Sequence, residues 1–247
     1  MKLITFDIFK PFDELIHAFS TRIGGVSAPP FDTLNLGLHT PDNRENVQQN
    51  RQLFFDQLGI SQTRIVFPQQ IHSAKVEIIT TPGIVKNRDG LITAQKNLFL
   101  SVQTADCFPV FIYDPRKEVV ALVHSGWRGT AADICGRTIE AMNERFGCKA
   151  ADLIVAVGAG VQQSCYQVDD KTAAFFKPAF LQPEGKGHYK LDVQGAIIDQ
   201  LRNKGVPETQ IEVDSTCTHC AAKLYYSYRR DGVQSGRMMG IIGIKAD

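Results

Sequence analysis

Short apolar runs and amphipathic stretches follow one another along this chain without strict strand–helix alternation. Apolar runs bounded by turn-forming residues predict strands at residues 15–20, 64–67, 75–79, 98–103, 153–157, 211–213, 224–228 and 239–244. Helical spacing with capping residues predicts helices at residues 42–58, 130–146 and 192–204, and a short one before Pro178. This mixed order predicts an α+β fold, and the lack of a linker-like stretch predicts a single domain over residues 1–247.

The clearest local pattern is a pair of apolar runs, 108–113 and 118–123, joined by the polar turn 114–117. A Pro-containing four-residue turn between β-type runs is typical of a hairpin. If the last residue of the first run pairs with the first residue of the second, Cys107 lies opposite His124 on the same face. Directly opposed residues have Cβ atoms about 4.5–5.5 Å apart. A thiolate and an imidazole at that distance can share one metal ion.

The segment after His124, SGWRGT, leads into the predicted helix over 130–146, with Thr130 as its expected N-cap. A Gly-rich turn from strand to helix exposes backbone N–H groups, and a helix start favours anions. Arg128 adds a positive charge at this turn. The sequence therefore predicts an anion site beside the metal site.

His72 is the expected third metal ligand, although a lone loop histidine is more often a surface or packing residue. It lies in the segment QQIHS, between two predicted strands. Two histidines and one cysteine that leave a coordination position open are typical of catalytic zinc. The same ligand types also suit copper. The expected cofactor is therefore Zn²⁺, with copper binding possible in vitro.

Charge and composition narrow the class of partner. The 27 Lys and Arg residues nearly balance the 26 Asp and Glu residues, so no overall field favours nucleic acid or an anionic membrane. No apolar run approaches the roughly 18 residues of a membrane-spanning helix, and the first residues lack a signal-peptide pattern. Six cysteines in such a chain are expected as free thiols or ligands in a reducing cytoplasm.

Two of these cysteines, Cys217 and Cys220, form a CTHC segment with the spacing of half a structural zinc site. The chain has no second CxxC segment. We therefore expect both to be free thiols rather than metal ligands, and we expect Cys165 to be a core residue or to lie behind the ligands.

Several segments resemble one known family in order, from about Arg22 to Ile244. They are TRIGGVS (21–27), LNLGLH (34–39), QQIH (69–72), TADCFPV (104–110), HSGWRGT (124–130), SCYQVD (164–169), CT (217–218), YSYRRDG (226–232) and SGR (235–237). The chain resembles the laccase-domain family, also called multicopper polyphenol oxidases and now regarded as zinc-dependent purine nucleoside phosphorylases. It departs from the family pattern at Gly243, where many relatives have Trp, and in the CTHC segment.

The resemblance implies a fold, a ligand set and an activity. The fold would be a single-domain α/β/β/α sandwich akin to that of cysteine hydrolases. The family's metal ligands fall on His72, Cys107 and His124, implying one zinc per chain. The implied reactions are phosphorolysis of inosine, adenosine and methylthioadenosine, and deamination of adenosine. The partners would be nucleoside and phosphate, with no nucleic acid or membrane, and the chain would be a monomer or weak dimer. Six histidines are too few for the copper centres of a true laccase.

Polar residues of the shared segments are the candidates for proton transfer, phosphate binding and contacts to the nucleoside. Asp106 is the expected proton shuttle in deamination, although it can equally serve to hold the neighbouring turn. Phosphorolysis requires oxyanion binding, which arginine forks provide. The candidate arginines are Arg22, Arg128, Arg229 and Arg230. We expect Arg22 and Arg128 to be catalytic and Arg229 and Arg230 to bind the substrate. Gln70 and Tyr226 are weaker candidates for contacts to purine or ribose.

Two other functions fit the same residues. In a cysteine hydrolase or amidase, for example one that edits peptidoglycan precursors, Cys107 would be the nucleophile and His124 the base, assisted by Asp106 or Gln70. In a binding module, zinc would only hold the loops in place. Zinc content separates the first two functions, because a zinc-bound thiolate is a poor nucleophile.

Overall fold

The computed structural model, which describes residues 1–246, is built on two six-stranded mixed sheets and one small three-stranded sheet. The strands are β1 (Leu3–Ile4), β2 (Leu15–Ser20), β3 (Ile65–Pro68), β4 (Val76–Ile78), β5 (Gly83–Val85), β6 (Gly90–Thr93), β7 (Phe99–Thr104), β8 (Phe108–Asp114), β9 (Val119–Ser125), β10 (Ile154–Val157), β11 (Gln167–Asp169), β12 (Leu181–Pro183), β13 (His188–Leu191), β14 (Ile211–Val213) and β15 (Met238–Ile244). The helices are α1 (Arg44–Gln57), α2 (Trp127–Ala131), α3 (Ile134–Phe146), α4 (Asp170–Ala173), α5 (Val193–Asn203) and α6 (Tyr228–Asp231).

The strand orders are β1-β2-β15-β7-β3-β5 in the first sheet, β14-β10-β8-β9-β6-β4 in the second and β11-β13-β12 in the third. Both large sheets mix parallel and antiparallel pairs, for example β3 with β7 and β15 with β7. The mixed sheets confirm the predicted combination of helices and strands in one fold. The extent of the single domain over residues 1–247 stays a prediction.

The buried side chains define four layers. Alternate residues of β8 point to opposite faces: Phe111 joins a core between the two sheets, and Ile112 joins a core under α3 and α5. On the outer face of the first sheet, Phe54 and Phe55 of α1 pack against residues such as Ile241. The order is therefore helix, sheet, sheet, helices. The ends of β8 and β9 lie in the middle of the second sheet, where packing on both faces holds them rigidly.

Most predicted elements are present. Eight of the predicted strands match observed strands to within one residue at each end; they are β2, β3, β4, β7, β8, β10, β14 and β15. Helix α3 ends at Phe146, and Gly147 follows it with φ at 69°, as a C-terminal glycine should. The first long helix, predicted from residue 42 with Asp42 as its cap, starts at Arg44 and is capped by Asn43, whose side chain accepts the N–H groups of residues 45 and 46.

The predicted register of the central hairpin is wrong by two positions. Pro109, not Cys107, lies opposite His124. The turn occupies residues 115–118, because Asp114 stays in β8 and Glu118 takes a positive φ of 51° that a strand residue does not adopt. A shift by two residues preserves the faces. Cys107 therefore remains close to His124, just outside the ladder.

Two further predictions are corrected. Thr130 does not cap a helix but lies inside α2, where its N–H and its hydroxyl both donate to the Gly126 carbonyl. The segment following His124 is thus a five-residue helix, and the long helix starts only at Ile134. The strand predicted at 224–228 is absent. Ser227 instead caps α6 by accepting the N–H of Arg230, which turns the chain into a helix.

The departure at Gly243 has a packing reason. A Cβ at this position would lie 2.4 Å from the Phe99 ring and 2.7 Å from the Leu98 carbonyl oxygen. The neighbouring strand thus leaves no space for a larger side chain here.

No helix within residues 1–246 is long and apolar enough to cross a bilayer.

Candidate metal centre

Three side chains from distant segments meet at one end of the second sheet. Nitrogen or sulfur atoms of His72, Cys107 and His124 all lie within 4.8 Å of one another. The two imidazole rings have centroids 4.8 Å apart and stand nearly perpendicular. Cys107 comes from the bend between β7 and β8, His124 from the end of β9, and His72 from the loop after β3. The structure therefore brings the three sequence-predicted ligands together.

Asp89, which the sequence reading did not single out, organises this cluster. Its side chain is fully buried, just before β6. The carboxylate accepts N–H groups from Ile71 at 3.3 Å, His72 at 3.0 Å and Ser73 at 2.7 Å. These bonds hold His72 in a left-handed conformation with φ at 57°, which a histidine seldom adopts. The loop that presents the third ligand is thus shaped by one carboxylate.

The same carboxylate orients His124. Asp89 Oδ1 lies 2.9 Å from His124 Nδ1, and the Asp89 carbonyl accepts the His124 backbone N–H at 2.7 Å. With Nδ1 donating to Asp89, the Nε2 lone pair is available to a metal. Burial alone would raise the pKa of Asp89, but the hydrogen bonds from His124 and Ser73 lower it to about 2. The carboxylate is therefore charged at neutral pH.

The electrostatics favour a thiolate at Cys107. Burial opposes ionisation of Cys107, but the charge and hydrogen bonds of His124, and then of His72, lower its pKa to about 6. Burial likewise opposes protonation of His124, but Cys107 and Asp89 raise its pKa to about 9. Without a metal, these two residues would form a thiolate–imidazolium pair. A divalent cation would replace the proton between them.

The residues present fit a zinc ion. One thiolate and two imidazoles are a common ligand set for Zn²⁺ and leave one position for a substrate or water; the same set is compatible with copper. Gly126 leaves the space: a Cβ there would lie 2.7 Å from the Cys107 sulfur and 3.4 Å from His72 Cδ2. The donor set and the close approach of Gly126 both match a metal centre, and His72, Cys107 and His124 would hold the ion.

Asp106 lies beside the ligands in a strained bend. Its φ is 93°, and its side chain is mostly buried. One carboxylate oxygen accepts the Thr218 hydroxyl at 2.7 Å, and the other accepts the Arg229 backbone N–H at 2.6 Å. The two oxygens therefore connect the Cys107 bend to the loop at Thr218 and to the start of α6, which is the turn-holding role left open by the sequence.

Two of the four predicted arginines lie exposed near the centre. The Arg128 guanidinium lies 4.2 Å from the centroid of the Trp127 ring, and that of Arg229 lies 5.8 Å from the Tyr166 ring. Burial raises the pKa of Tyr166, Cys107 raises it further, and Arg229 and Arg128 oppose these effects. Tyr166 therefore lies close enough to Cys107 and to both arginines for their charges to act on its hydroxyl.

The other two arginines are engaged in holding loops. Arg22 donates to the Asp32 carbonyl at 2.8 Å and to the Asp32 carboxylate at 3.1 Å. Arg230 donates to the carbonyls of Thr218 and His219 at 2.9 and 3.0 Å. Their guanidinium groups are therefore committed to contacts within the fold, which leaves Arg128 and Arg229 as the exposed cations among the four.

Gln70 and Tyr226 also have internal partners. The Gln70 amide both donates to and accepts from the Gln103 backbone, at 2.8 and 2.7 Å, which fixes the His72 loop against the end of β7. Tyr226 is fully buried, and its hydroxyl donates to the Phe31 carbonyl at 2.5 Å. Both residues thus position the surrounding chain.

Arg237 is a further cation that the sequence reading did not assign, although it belongs to the SGR segment. Burial lowers the pKa of Arg237, whereas Tyr228, Cys107 and Asp106 oppose that effect. Its guanidinium lies 5.6 Å from the Tyr228 ring. Arg237 therefore adds positive charge on the side of Asp106.

The chain is similar in sequence to a known family and to named proteins. The sequence model of the family described as multi-copper polyphenol oxidoreductase laccase matches residues 16–245. Purine nucleoside phosphorylase YlmD of Bacillus subtilis is 34% identical over 94% of this chain and 89% of its own length. A purine nucleoside phosphorylase of Deinococcus radiodurans is 37% identical over 92% of this chain and 88% of its own length.

Solved structures show the same fold. The crystal structure of the hypothetical protein YfiH from Bacillus licheniformis superposes with a TM-score of 0.93 at 33% identity, covering 98% of this chain and 96% of that one. The crystal structure of YlmD from Geobacillus stearothermophilus superposes with a TM-score of 0.92 at 33% identity, covering 96% and 94%. By sequence and by fold, this chain belongs to the multi-copper polyphenol oxidoreductase laccase family.

Proposed function

We propose that this chain is a zinc-dependent purine nucleoside phosphorylase that also deaminates adenosine at the same centre. The observation that carries the proposal is the His72–Cys107–His124 cluster, oriented by buried Asp89 and flanked by exposed Arg128 and Arg229. Relatives named purine nucleoside phosphorylase match over nine-tenths of the chain. Inosine, adenosine and methylthioadenosine are the proposed nucleosides.

In phosphorolysis, a phosphate oxygen forms a bond to the ribose C1′ as the bond from C1′ to the purine nitrogen breaks. The base leaves with the electron pair and takes up a proton. Arg128 and Arg229 would bind the phosphate through charge-assisted hydrogen bonds and hold it against C1′. Zinc, when bound, supplies a Lewis acid that polarises an oxygen of a substrate. Asp89 would keep His124 in the tautomer that leaves Nε2 free.

Asp106 is proposed to act by positioning rather than by proton transfer. Its two hydrogen bonds fix the Cys107 bend and the backbone of Arg229. Loss of its carboxylate would let the arginine move relative to the ligands. Because the predicted helix start is replaced by the short α2, the phosphate site rests on arginine side chains rather than on a helix terminus.

The proposal is tested by measuring inosine cleavage over a series of phosphate concentrations. Hypoxanthine and ribose 1-phosphate, separated by chromatography, should form in equal amounts and only when phosphate is present. Chelation of zinc should abolish cleavage, and added zinc should restore it. Equal release of base without phosphate would refute the phosphorylase assignment.

One observation favours a second candidate, a cysteine hydrolase or amidase. Cys107, His124 and Asp89 form a nucleophile–base–carboxylate series, with Asp89 in the place that the sequence reading gave to Asp106 or Gln70. In that case chelation should raise activity toward amide substrates, because it would free the Cys107 thiolate. A chelated protein that hydrolyses amides and ignores nucleosides would favour this candidate.

A further inference from the structure

A second cluster of sulfur atoms lies outside the centre described above. The sulfurs of Cys165, Cys217 and Cys220 all lie within 4.8 Å of one another, and those of Cys165 and Cys220 are 3.3 Å apart. All three residues are free thiols. Cys165 ends a single 3-10 turn, Gln163–Cys165, whereas the other two belong to the loop after β14. The fold thus joins cysteines up to 55 positions apart in the chain.

Backbone N–H groups converge on one of these sulfurs. Cys217 Sγ accepts the N–H of Gln162 at 3.4 Å. The backbone N–H groups of His219 and Cys220, two and three positions further along the chain, also favour its thiolate form. Burial opposes ionisation of Cys217, yet these hydrogen bonds lower its pKa. A loop that wraps its N–H groups around the first cysteine of a CxxC segment is prepared to hold a thiolate.

We propose that Cys165, Cys217 and Cys220 form a second metal site, a three-thiolate site for a thiophilic cation such as Zn²⁺. In a tetrahedral zinc site with Zn–S bonds of about 2.3 Å, two sulfurs lie roughly 3.8 Å apart. The observed separations therefore need only small adjustments. Binding deprotonates the remaining thiols and releases those protons to solvent. The exposed side of Cys220 leaves the fourth position to water.

This site replaces the expectation that Cys217 and Cys220 are free thiols. That expectation rested on the absence of a second CxxC segment, but Cys165 supplies the third sulfur as an isolated residue in another loop. The metal content rises accordingly from one zinc to two per chain.

The site would brace the loop that supports Asp106. Thr218 lies between the two loop cysteines; its N–H donates to the Gly160 carbonyl at 3.0 Å and its hydroxyl to Asp106. Arg230 binds the Thr218 and His219 carbonyls from the other side. An ion held by the three thiolates would tie this loop to the turn at Cys165. Its role is structural and does not rest on the proposed nucleoside activity.

The test is metal content and spectroscopy on the whole chain, purified without oxygen and loaded with Zn²⁺ or Cd²⁺. Wild-type protein should bind two equivalents of zinc. Cys107→Ala should keep one and retain the thiolate-to-cadmium absorption band. Cys220→Ser should also keep one, and the double variant Cys107→Ala/Cys220→Ser should lose both the ion and the band.

Lys223→Ala is the matched control, because Lys223 is exposed in the same loop as Cys217 and Cys220 and supplies no sulfur; it should keep both equivalents. Since Cys220 is exposed, its serine variant should fold, and a melting curve without metal should match that of the wild type. Unchanged zinc content in both Cys165→Ser and Cys220→Ser would overturn the proposal. So would recovery of Cys165 and Cys220 as a disulfide from the zinc-loaded, oxygen-free protein.

Discussion

The two clusters of candidate ligands in this chain are held in different ways. His72, Cys107 and His124 lie at the ends of core strands and are oriented by a fully buried carboxylate, Asp89. The sulfur cluster lies between surface turns, and its shaping contacts are backbone N–H groups that converge on one sulfur. A carboxylate behind a histidine tunes that ligand's basicity, whereas N–H groups around a sulfur only stabilise its charge. The first arrangement suits a catalytic metal centre, and the second suits a structural metal site that holds two loops together.

The largest expected effect separates the two clusters by activity. Cys107→Ala and His124→Ala should each remove one zinc and lower inosine phosphorolysis by about 10³-fold or more, because several kcal/mol of transition-state stabilisation depend on the ion. Cys220→Ser should remove the other zinc and leave most of the activity. Zinc analysis and steady-state rates on the same preparations check both results. Equal loss of activity in all three variants would contradict the division of roles.

Asp89→Asn should weaken the first centre without removing a ligand. Loss of such a supporting carboxylate lowers metal affinity by about 10–100-fold. The stoichiometry of the sulfur cluster should not change. Competition with a chromogenic zinc chelator measures both affinities, with Glu45→Gln on the exposed start of α1 as the control. Unchanged affinity at the first centre would show that Asp89 only shapes the loop.

Arg128→Ala and Arg22→Ala should have different effects, because Arg128 is exposed whereas Arg22 is hydrogen-bonded within a loop. Loss of one charge-assisted contact, roughly 1.5–3 kcal/mol, should slow phosphorolysis of inosine on the order of 10–100-fold and slow deamination of adenosine less. Arg64→Ala, also exposed, is the control. By contrast, Arg22→Ala should lower the melting temperature, because its bonds hold the loop at Asp32. A larger effect of Arg22→Ala on the KM for phosphate would reverse this assignment.

The smallest expected effect comes from the ionisation of Cys107 and His124 in protein from which zinc has been removed by chelation. The pKa of Cys107 is lowered, so its thiolate stabilises the fold above the unfolded pKa, and this stabilisation is lost as pH falls through about 6. The pKa of His124 is raised, so its charge stabilises the fold at low pH, and this is lost as pH rises through about 9.

Alkylation of Cys107 by iodoacetamide should therefore rise with a midpoint near pH 6. In His124→Ala the midpoint should shift upward, with a rate at pH 7 lower by about 10-fold, because the imidazolium that favours the thiolate is gone. Mass spectrometry of the alkylated peptide follows the reaction. An unshifted midpoint in His124→Ala would mean that His124 does not set the ionisation of Cys107.

The sequence by itself determined most of the secondary structure and the family, and it predicted a candidate ligand set. Apolar periodicity and caps located α1, α5, β8 and the C-terminal end of α3 closely, because these signals act between residues close in the chain. The shared segments around His72, Cys107 and His124 identified the family and predicted these three residues as candidate ligands. The hairpin prediction succeeded in bringing Cys107 near His124 even with the wrong register, because an even shift leaves side chains on the same face.

Only the tertiary structure decided which polar residues serve the site and which serve the fold. Asp89 precedes a strand of four residues, too short to stand out by periodicity, and its role depends on the pairing of β6 with β9. Arg22 and Arg128 have the same local signature of a cation near glycine, yet one is bonded into a loop and the other is exposed. Cys165 joins Cys217 and Cys220 across 55 positions. These outcomes depend on long-range packing, which sets distances that no short segment encodes.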